Sequence, residues 1–278
     1  MNEQGPKGPL WGPSAKDSGE GKPRPAETRH GESGVMPAGP GGEGPWGLLG
    51  TALWTILIGV AFVGSGVLSG MFFFGYKALS GEPASDAMFQ QMSRDGDLLW
   101  LSVLIQVFLC GLVLLSAVVL RKGYSAREYL AFYSPGVRGY APWVVLLVVY
   151  NSVSEYLMHV LQIPTPQWMF DVFASADCMI CLLVAVVFLS PPLEELIFRG
   201  FVFRGVQTRL GVFWAVVLAS IPWTLLHMQY PGVYHMGMIM GLGIIFALAR
   251  WRTGSIYVPI VMHVINNGAA AVQMFFFG

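Results

Sequence analysis

The residues of this sequence best suited to chemistry are polar side chains that lie inside long apolar stretches. An ionisable group costs about 3 kcal/mol at the centre of a bilayer-spanning helix, so such groups are candidates for function. Carboxylates and imidazoles serve as general bases, and imidazole and amide N–H groups can hold an oxyanion. The candidates are Glu194, Glu195, Arg199, His227, His263 and Asn267. Their types match what the activation of a water molecule requires.

The two adjacent carboxylates are predicted to do different work. Glu195 and Arg199 are four residues apart with the glutamate first, which is the favourable order for an ion pair on one helix face. Such a pair lowers the cost of burying both charges, so Glu195 and Arg199 are interpreted as structural support. Glu194 projects about 100° away from Glu195 on a helix and cannot share the pairing fully. Glu194 is therefore the better candidate for the chemical step.

Two further pairs repeat the four-residue spacing. His263 and Asn267 lie on one face of their helix and could direct two N–H groups at one oxyanion. Trp223 and His227 would place an aromatic wall one turn from an imidazole that could orient or activate water. The pattern predicts a site shared by three helical segments.

The remaining polar residues of the apolar regions are interpreted without a chemical role. His159, His235 and Glu155 are expected to hydrogen bond between helices, as intramembrane polar groups commonly do. Asp171 and Asp177 are expected to lie in a loop.

The composition identifies the kind of protein that must position these residues. Hydrophobic residues make up 54% of the chain and charged residues 12%, and the mean hydropathy is +0.58. Soluble domains carry roughly 25% charged residues, so this composition is unfavourable for an ordinary soluble fold. The 16 basic and 16 acidic residues cancel, and no nucleic-acid partner is expected. Cys110, Cys178 and Cys181 all lie in apolar stretches and are interpreted as packing cysteines.

Seven apolar runs are long enough to cross a bilayer, which takes roughly 20 residues. They are 47–75, 98–120, 141–162, 175–203, 211–229, 232–250 and 255–277. The fourth contains Pro191-Pro192 and is predicted to be one long helix with a bend. Gly237, Gly241 and Gly243 in the sixth are predicted to let neighbouring helices approach closely. The predicted fold is an all-α, polytopic transmembrane bundle of about seven spans.

Lysine and arginine are concentrated in alternate loops, which predicts the orientation of the bundle. By the positive-inside rule the N-terminus is cytoplasmic, and the protein is expected in a bacterial inner (plasma) membrane as a multi-pass protein. Residues 1–45 are rich in glycine, proline and charge and predict a disordered cytoplasmic tail. Residues 46–139 would form N-terminal transmembrane helices with a cytoplasmic linker, and residues 140–278 the bundle that carries the site.

Three ordered motifs in the second half of the chain resemble those of the CPBP intramembrane proteases. This family includes type II CAAX prenyl endopeptidases and Abi-like bacteriocin-immunity proteins. The motif EExxxR is Glu194-Glu195-Leu-Ile-Phe-Arg199, FxxxH is Trp223-Thr-Leu-Leu-His227, and HxxxN is His263-Val-Ile-Asn-Asn267. Trp223 departs from the family pattern, which has phenylalanine there, and the departure puts substrate size in doubt. The resemblance covers roughly residues 140–275.

The resemblance implies an activity and a role for each motif residue. Glu194 with His227 would activate water, His263 and Asn267 would stabilise the oxyanion, and Glu195 and Arg199 would hold the others in place. The substrate would be a membrane-associated peptide or protein, with prenylated CAAX-like chains as one class. Family members have been labelled metalloproteases, and metal-free hydrolysis has been proposed as well. No cofactor is expected, and the alternative is a zinc ion held by Glu194, His227 and His263.

Two functions from other classes remain as alternatives. A non-catalytic protein of the same fold could bind a partner peptide or confer bacteriocin immunity. A proton-coupled transporter would also use intramembrane glutamate and histidine, although no internal repeat supports one.

Overall fold

In the computed structural model, residues 45–81 and 85–277 are described, and they form helices joined by short turns, with no β-strand among them. The first half contains three long helices and three short ones. They are α1 (Leu48–Leu79), α2 (Asp86–Met92), α3 (Gly96–Val119), α4 (Ala126–Leu130), α5 (Val137–Val160) and α6 (Gln167–Ser175). The prediction of an all-α fold is confirmed. Except for residue 45, the tail predicted at 1–45 lies outside the described residues.

The second half begins with a helical path of 47 residues that alternates between α and π geometry. Its parts are α7 (Met179–Leu183), a first π segment (Val184–Leu189), α8 (Ser190–Glu195), a second π segment (Leu196–Val202) and α9 (Phe203–Leu225). Helices α10 (Gly232–Thr253) and α11 (Tyr257–Phe277) follow. Pro191 and Pro192 stand in the first turn of α8, immediately after the first π segment. A π turn accommodates a disturbed hydrogen-bond ladder, so the path continues through the two prolines.

Gly211 reverses the direction of this path. Its backbone lies at φ 82° and ψ 178°, which is not helical. Trp223, beyond Gly211, hydrogen bonds to Glu194, 29 residues earlier. A continuous helix would separate these residues by about 43 Å, so the chain must turn back on itself. Gly211 suits the turn because a positive φ carries no steric cost for glycine.

The described residues contain six helices that are long and apolar enough to cross a membrane, counting the 47-residue path as one. Because that path folds back at Gly211, it accounts for the fourth and fifth predicted runs. The prediction of about seven spans is consistent with this architecture. Helix α1 packs mainly on α3, whereas α9 packs on α10 and on the second π segment.

Two of the three glycines predicted to permit close packing in α10 do so. A Cβ at Gly243 would lie 3.1 Å from Trp223 Cε3 and 3.3 Å from Arg199 Nη2, and one at Gly241 would overlap the Tyr150 hydroxyl. Gly237 has nothing within 4 Å of its ideal Cβ position, so the prediction was wrong there. Periodicity alone cannot tell a glycine that faces a neighbour from one that faces lipid.

Two predictions about the region around the start of α7 were wrong. Asp171 lies in α6, where its carboxylate pairs with Arg94 at 2.9 Å, and is not a loop residue. Cys178 and Cys181 form a disulfide at the start of the 47-residue path. Residues three apart at a helical turn bring their Cα atoms to 5.2 Å, which is within the range that a disulfide bridges.

Candidate active site

The buried carboxylate of Glu195 links two motifs of the sequence. Its Oε1 accepts hydrogen bonds from Arg199 Nη1 at 3.0 Å and from His263 Nδ1 at 2.9 Å. The side chains of Glu195 and Arg199 are completely buried, and that of His263 is 3% exposed. The predicted pair of Glu195 with Arg199 is present. Glu195 also holds the imidazole of α11 in place, which the local spacing did not predict.

Glu194 faces a different set of partners, as its position on the helix predicted. Its Oε1 accepts a hydrogen bond from Ser190 Oγ, one turn earlier. Its Oε2 accepts from the indole Nε1 of Trp223 at 2.6 Å. The imidazoles of His263 and His227 both interact electrostatically with this carboxylate. Glu194 is therefore oriented through both oxygens while two imidazoles lie nearby.

The hydrogen bonds at Nδ1 fix how each imidazole can act. His227 Nδ1 lies 2.9 Å from the backbone oxygen of Trp223, and a carbonyl oxygen can only accept, so Nδ1 carries the proton. His263 Nδ1 likewise donates to the Glu195 carboxylate. In both residues Nε2 is left for chemistry, as a lone pair in the neutral ring or as a donor in the charged ring.

Trp223 lies at the centre of the site and contacts its neighbours through the faces and edge of its ring. Its ring centroid is 4.7 Å from that of His227 and 5.5 Å from that of His263. The guanidinium of Arg199 lies 4.6 Å from the Trp223 ring, in cation–π geometry. The predicted aromatic wall is present. Its indole N–H adds a hydrogen bond to Glu194 that a phenylalanine could not make.

Asn267 lies one turn beyond His263, and one of its amide hydrogens is donated to the protein backbone. Its Nδ2 donates to the backbone oxygen of Val186, in the first π segment, at 2.9 Å. An amide nitrogen carries two hydrogens, so the second remains to be directed at a ligand. His263 and Asn267, four residues apart on α11, thus both contact the 47-residue path, His263 at Glu195 and Asn267 at Val186.

A cavity of about 160 Å³ brings these groups to one space. Its polar lining comes from His227, His263, Asn266 and Asn267. Apolar and aromatic residues form the rest of its wall, among them Trp168, Phe173, Trp223 and Tyr230. Glu194 is not part of the lining, but it is hydrogen bonded to Trp223, which is. Three of the four residues predicted to be catalytic therefore share one cavity.

Tyr230 lines this cavity from the turn between α9 and α10. Burial, and secondly the negative charge of Glu194, raise the pKa of Tyr230 to about 12. The phenol therefore stays protonated at neutral pH and can act as a hydrogen-bond donor. Tyr230 was not identified from the sequence, where a single tyrosine after an apolar run carries no distinctive signal.

Helix α6 closes one side of the cavity. Trp168 of α6 contacts Tyr230 with ring centroids 5.5 Å apart, and its indole Nε1 donates to the backbone oxygen of Ser93 at 2.7 Å. The Arg94–Asp171 ion pair joins the same two regions of the chain. A nine-residue amphipathic helix, and not the loop predicted from the sequence, covers this part of the site.

The residues predicted for a zinc site do not assemble into one. Among residues 45–81 and 85–277, no three histidine, cysteine, aspartate or glutamate side chains are grouped so that they could hold a metal ion. Glu194 is held by Ser190 and Trp223, and His263 is held by Glu195. The donor set of Glu194, His227 and His263 does not fit a zinc ion in this arrangement.

Comparisons with known proteins agree with the motifs. Residues 176–269 match the family model described as type II CAAX prenyl endopeptidase Rce1-like, and this segment contains all three motifs. The resemblance predicted from the sequence is thereby confirmed over these residues. With six apolar helices, the match identifies the chain as an integral, multi-pass membrane protein.

Two curated relatives are similar to the chain. An Escherichia coli protein named "Uncharacterized 24.3 kDa protein" is 30% identical over 129 residues, which are 44% of this chain and 58% of that protein. A Bacillus subtilis (strain 168) protein named "Putative membrane peptidase YdiL" is 25% identical over 142 residues, which are 51% of each. The chain thus spans little more than half the length of the curated relatives it matches. No solved structure is significantly similar to it.

Proposed function

We propose that this protein is an intramembrane endopeptidase that hydrolyses a peptide bond of a membrane-associated substrate. The observation that carries the proposal is the meeting of His227, His263 and Asn267 in one cavity, with the carboxylate of Glu194 hydrogen bonded to Trp223 of the cavity wall. The family match and the name of the Bacillus subtilis relative support a peptidase in general.

In the proposed reaction, Glu194 acts with His227 to remove a proton from water. The His227 Nδ1 proton is donated to the Trp223 carbonyl, so in the neutral ring Nε2 carries the lone pair, and His227 lines the cavity. A carboxylate has about four lone-pair sites, so Glu194 can act as a base while Trp223 keeps it oriented. The water oxygen then attacks the scissile carbonyl carbon, and the carbonyl oxygen becomes an oxyanion.

His263 and Asn267 would stabilise that oxyanion. In this step His263 would act as a doubly protonated ring, with Nδ1–H donated to Glu195 and Nε2–H donated to the oxyanion in the cavity that His263 lines. The second amide hydrogen of Asn267 is the other donor. Collapse of the tetrahedral intermediate breaks the C–N bond, and the proton taken from water passes to the leaving amine. Donors fixed in advance around developing charge are the most effective form of such stabilisation.

Glu195 and Arg199 have a positioning role in this scheme. Their buried pair holds His263 on one side, and the guanidinium lies against the Trp223 ring on the other. Arg199 Nη2 also donates to the backbone oxygen of Gly243 at 3.0 Å, which ties α10 to the site. One buried ion pair therefore aligns the three motifs.

The narrower proposal for the substrate is a prenylated, CAAX-like chain. The family named for CAAX prenyl endopeptidases supports it, together with the apolar and aromatic wall of the cavity. The test compares two lipopeptides that differ only in the prenyl group. Cleavage at equal kcat/KM would overturn the narrower proposal and leave the peptidase proposal standing.

The proposed location is a bacterial plasma membrane, with the N-terminus cytoplasmic. The alternation of basic loops along the sequence supports the orientation, and the bacterial source of both curated relatives supports the location. Cysteine labelling with a membrane-impermeant reagent at positions in the 121–136 loop tests the orientation. Labelling only after the membrane is opened is expected, and labelling in intact cells would reverse the topology.

The decisive test of activity uses the purified protein in lipid and a membrane-associated peptide. Glu194→Gln and His227→Ala are expected to lower kcat at least 100-fold, as removal of a general base does. Glu155→Gln is the matched control, because Glu155 is an exposed carboxylate on α5 outside the cavity lining. Full activity of Glu194→Gln would overturn the proposal. A cellular phenotype that survived this variant would instead favour the non-catalytic, peptide-binding function.

A further inference from the structure

Three asparagine side chains form a chain of hydrogen bonds that ends at the cavity. Asn151 Nδ2, on α5, donates to Asn266 Oδ1 on α11 at 3.0 Å. Asn266 Nδ2 donates to Asn267 Oδ1 at 3.3 Å. Asn267 Nδ2 in turn donates to Val186 O, in the first π segment, at 2.9 Å. Donor and acceptor follow the same order in all three bonds, from α5 through α11 to the 47-residue path.

This chain fixes the orientation of the Asn267 amide. Without it, the amide could rotate or exchange its oxygen and nitrogen positions at little cost, since both ends are polar and of similar size. A donor on the oxygen side and an acceptor on the nitrogen side together select one orientation. In that orientation the amide nitrogen, and not the oxygen, can meet an oxyanion.

Asn151 is outside the cavity lining and reaches the cavity-lining residues through its hydrogen bond to Asn266. Helix α5 has other attachments of its own. The Tyr150 hydroxyl donates to Met238 O at 2.8 Å, and the Tyr234 hydroxyl donates to Ser154 O at 2.7 Å. Two hydrogen bonds therefore hold α5 against α10 independently of Asn151.

We propose that Asn151 and Asn266 are positioning residues for the reaction, forming an amide relay that aims the Asn267 N–H at the oxyanion. The inference rests on the proposed function, because the relay matters only if Asn267 stabilises a transition state. It assigns a part in catalysis to α5, which carries none of the three motifs. Pre-organised donors stabilise charge without reorganising during the reaction, and the relay supplies that order.

The test is a double-mutant cycle on the full-length protein in lipid, with kcat and KM measured on one lipopeptide. Asn151→Ala is expected to lower kcat about tenfold, as loss of one buried hydrogen bond can, and to change KM less than about twofold. In an Asn267→Ala background, the same substitution is expected to change kcat less than about twofold. Such non-additivity is the mark of residues that act as a unit.

Two further variants separate the relay from a structural role. Asn151→Asp keeps the shape of the side chain but replaces the donating amide, so it is expected to lower kcat at least as much as Asn151→Ala. Tyr150→Phe, on the adjacent position of α5, removes an anchor without touching the relay and is expected to keep kcat within about twofold. Thermal unfolding of each purified variant identifies any that fail to fold.

Failure of the relay and failure of the proposed function give different results. The relay alone would be overturned if Asn151→Ala lowered kcat by the same factor in the wild-type protein and in Asn267→Ala. Full activity of Asn151→Asp would also overturn it. If Asn267→Ala had the same kcat as the wild-type protein, both the oxyanion role of Asn267 and the relay would be overturned. Full activity in Glu194→Gln would overturn the proposed function itself.

Discussion

The indole Nε1 of Trp223 donates a hydrogen bond to Oε2 of Glu194 across 2.6 Å, and this bond joins two helical segments that run in opposite directions from Gly211. It places the first motif against the second. Trp223 is the residue that departs from the family pattern, and its indole N–H makes a hydrogen bond that phenylalanine could not make.

Trp223→Phe tests this bond directly. The substitution keeps an aromatic ring beside His227 but removes the donor, so the Glu194 carboxylate loses one of its two orienting contacts. We expect kcat to fall about tenfold, with little change in KM. Trp214→Phe is the control, since Trp214 is 48% exposed on the same helix. Higher kcat in Trp223→Phe would show that the indole shields Glu194 and does not assist it.

Glu195→Gln should damage stability as well as activity. It leaves the buried Arg199 without its carboxylate and weakens the bond to His263, and breaking a buried ion pair costs about 3 to 5 kcal/mol. Glu194→Gln should abolish turnover and change the free energy of unfolding by less than about 1 kcal/mol. Denaturant unfolding in mixed micelles measures both variants. Equal destabilisation would contradict the division of roles between the two glutamates.

Gly243→Ala should disturb the site from α10. The added methyl group would lie 3.1 Å from the Trp223 ring and 3.3 Å from Arg199 Nη2, so one of them must move. We expect kcat to fall about tenfold, because small displacements of catalytic groups are costly. Gly237→Ala on the same helix meets nothing within 4 Å and should leave kcat unchanged. Loss of activity in Gly237→Ala alone would show that the packing on α10 has been assigned to the wrong face.

Chelation should not abolish activity. The described part of the chain has no grouping of three side chains able to hold a metal ion, and the proposed steps use none. Activity measured after dialysis against 1,10-phenanthroline is expected to stay within about twofold of the untreated value. Loss of activity that added zinc restores would favour the zinc alternative and overturn the metal-free mechanism.

The sequence predicted those parts of the site that depend on local spacing. Residues four apart on a helix share a face, which is why the pairing of Glu195 with Arg199 could be foreseen. The same rule applies to Ser190 and Glu194, four residues apart, so that hydrogen bond could have been predicted as well.

The tertiary contacts could not be predicted in this way. The bond between Glu195 and His263 spans 68 residues, and the relay from Asn151 to Asn266 spans 115, so neither has a periodic signal.

Helix α6 was missed for another reason. It is nine residues long, and a search for runs of roughly 20 apolar residues passes over it. Pro166 immediately before its first residue was the available signal.

Comparative membrane peptidomics shows whether this site cleaves peptides, in cells that produce at equal levels the wild-type protein, Glu155→Gln, Glu194→Gln or His263→Ala. We expect at least one membrane-derived peptide that appears with the wild-type protein and with Glu155→Gln, and is absent with Glu194→Gln and with His263→Ala. Its uncleaved precursor should accumulate in the two inactive variants. Identical peptide populations in all four strains, with each protein folded in the membrane, would contradict the assignment of this site as a peptidase.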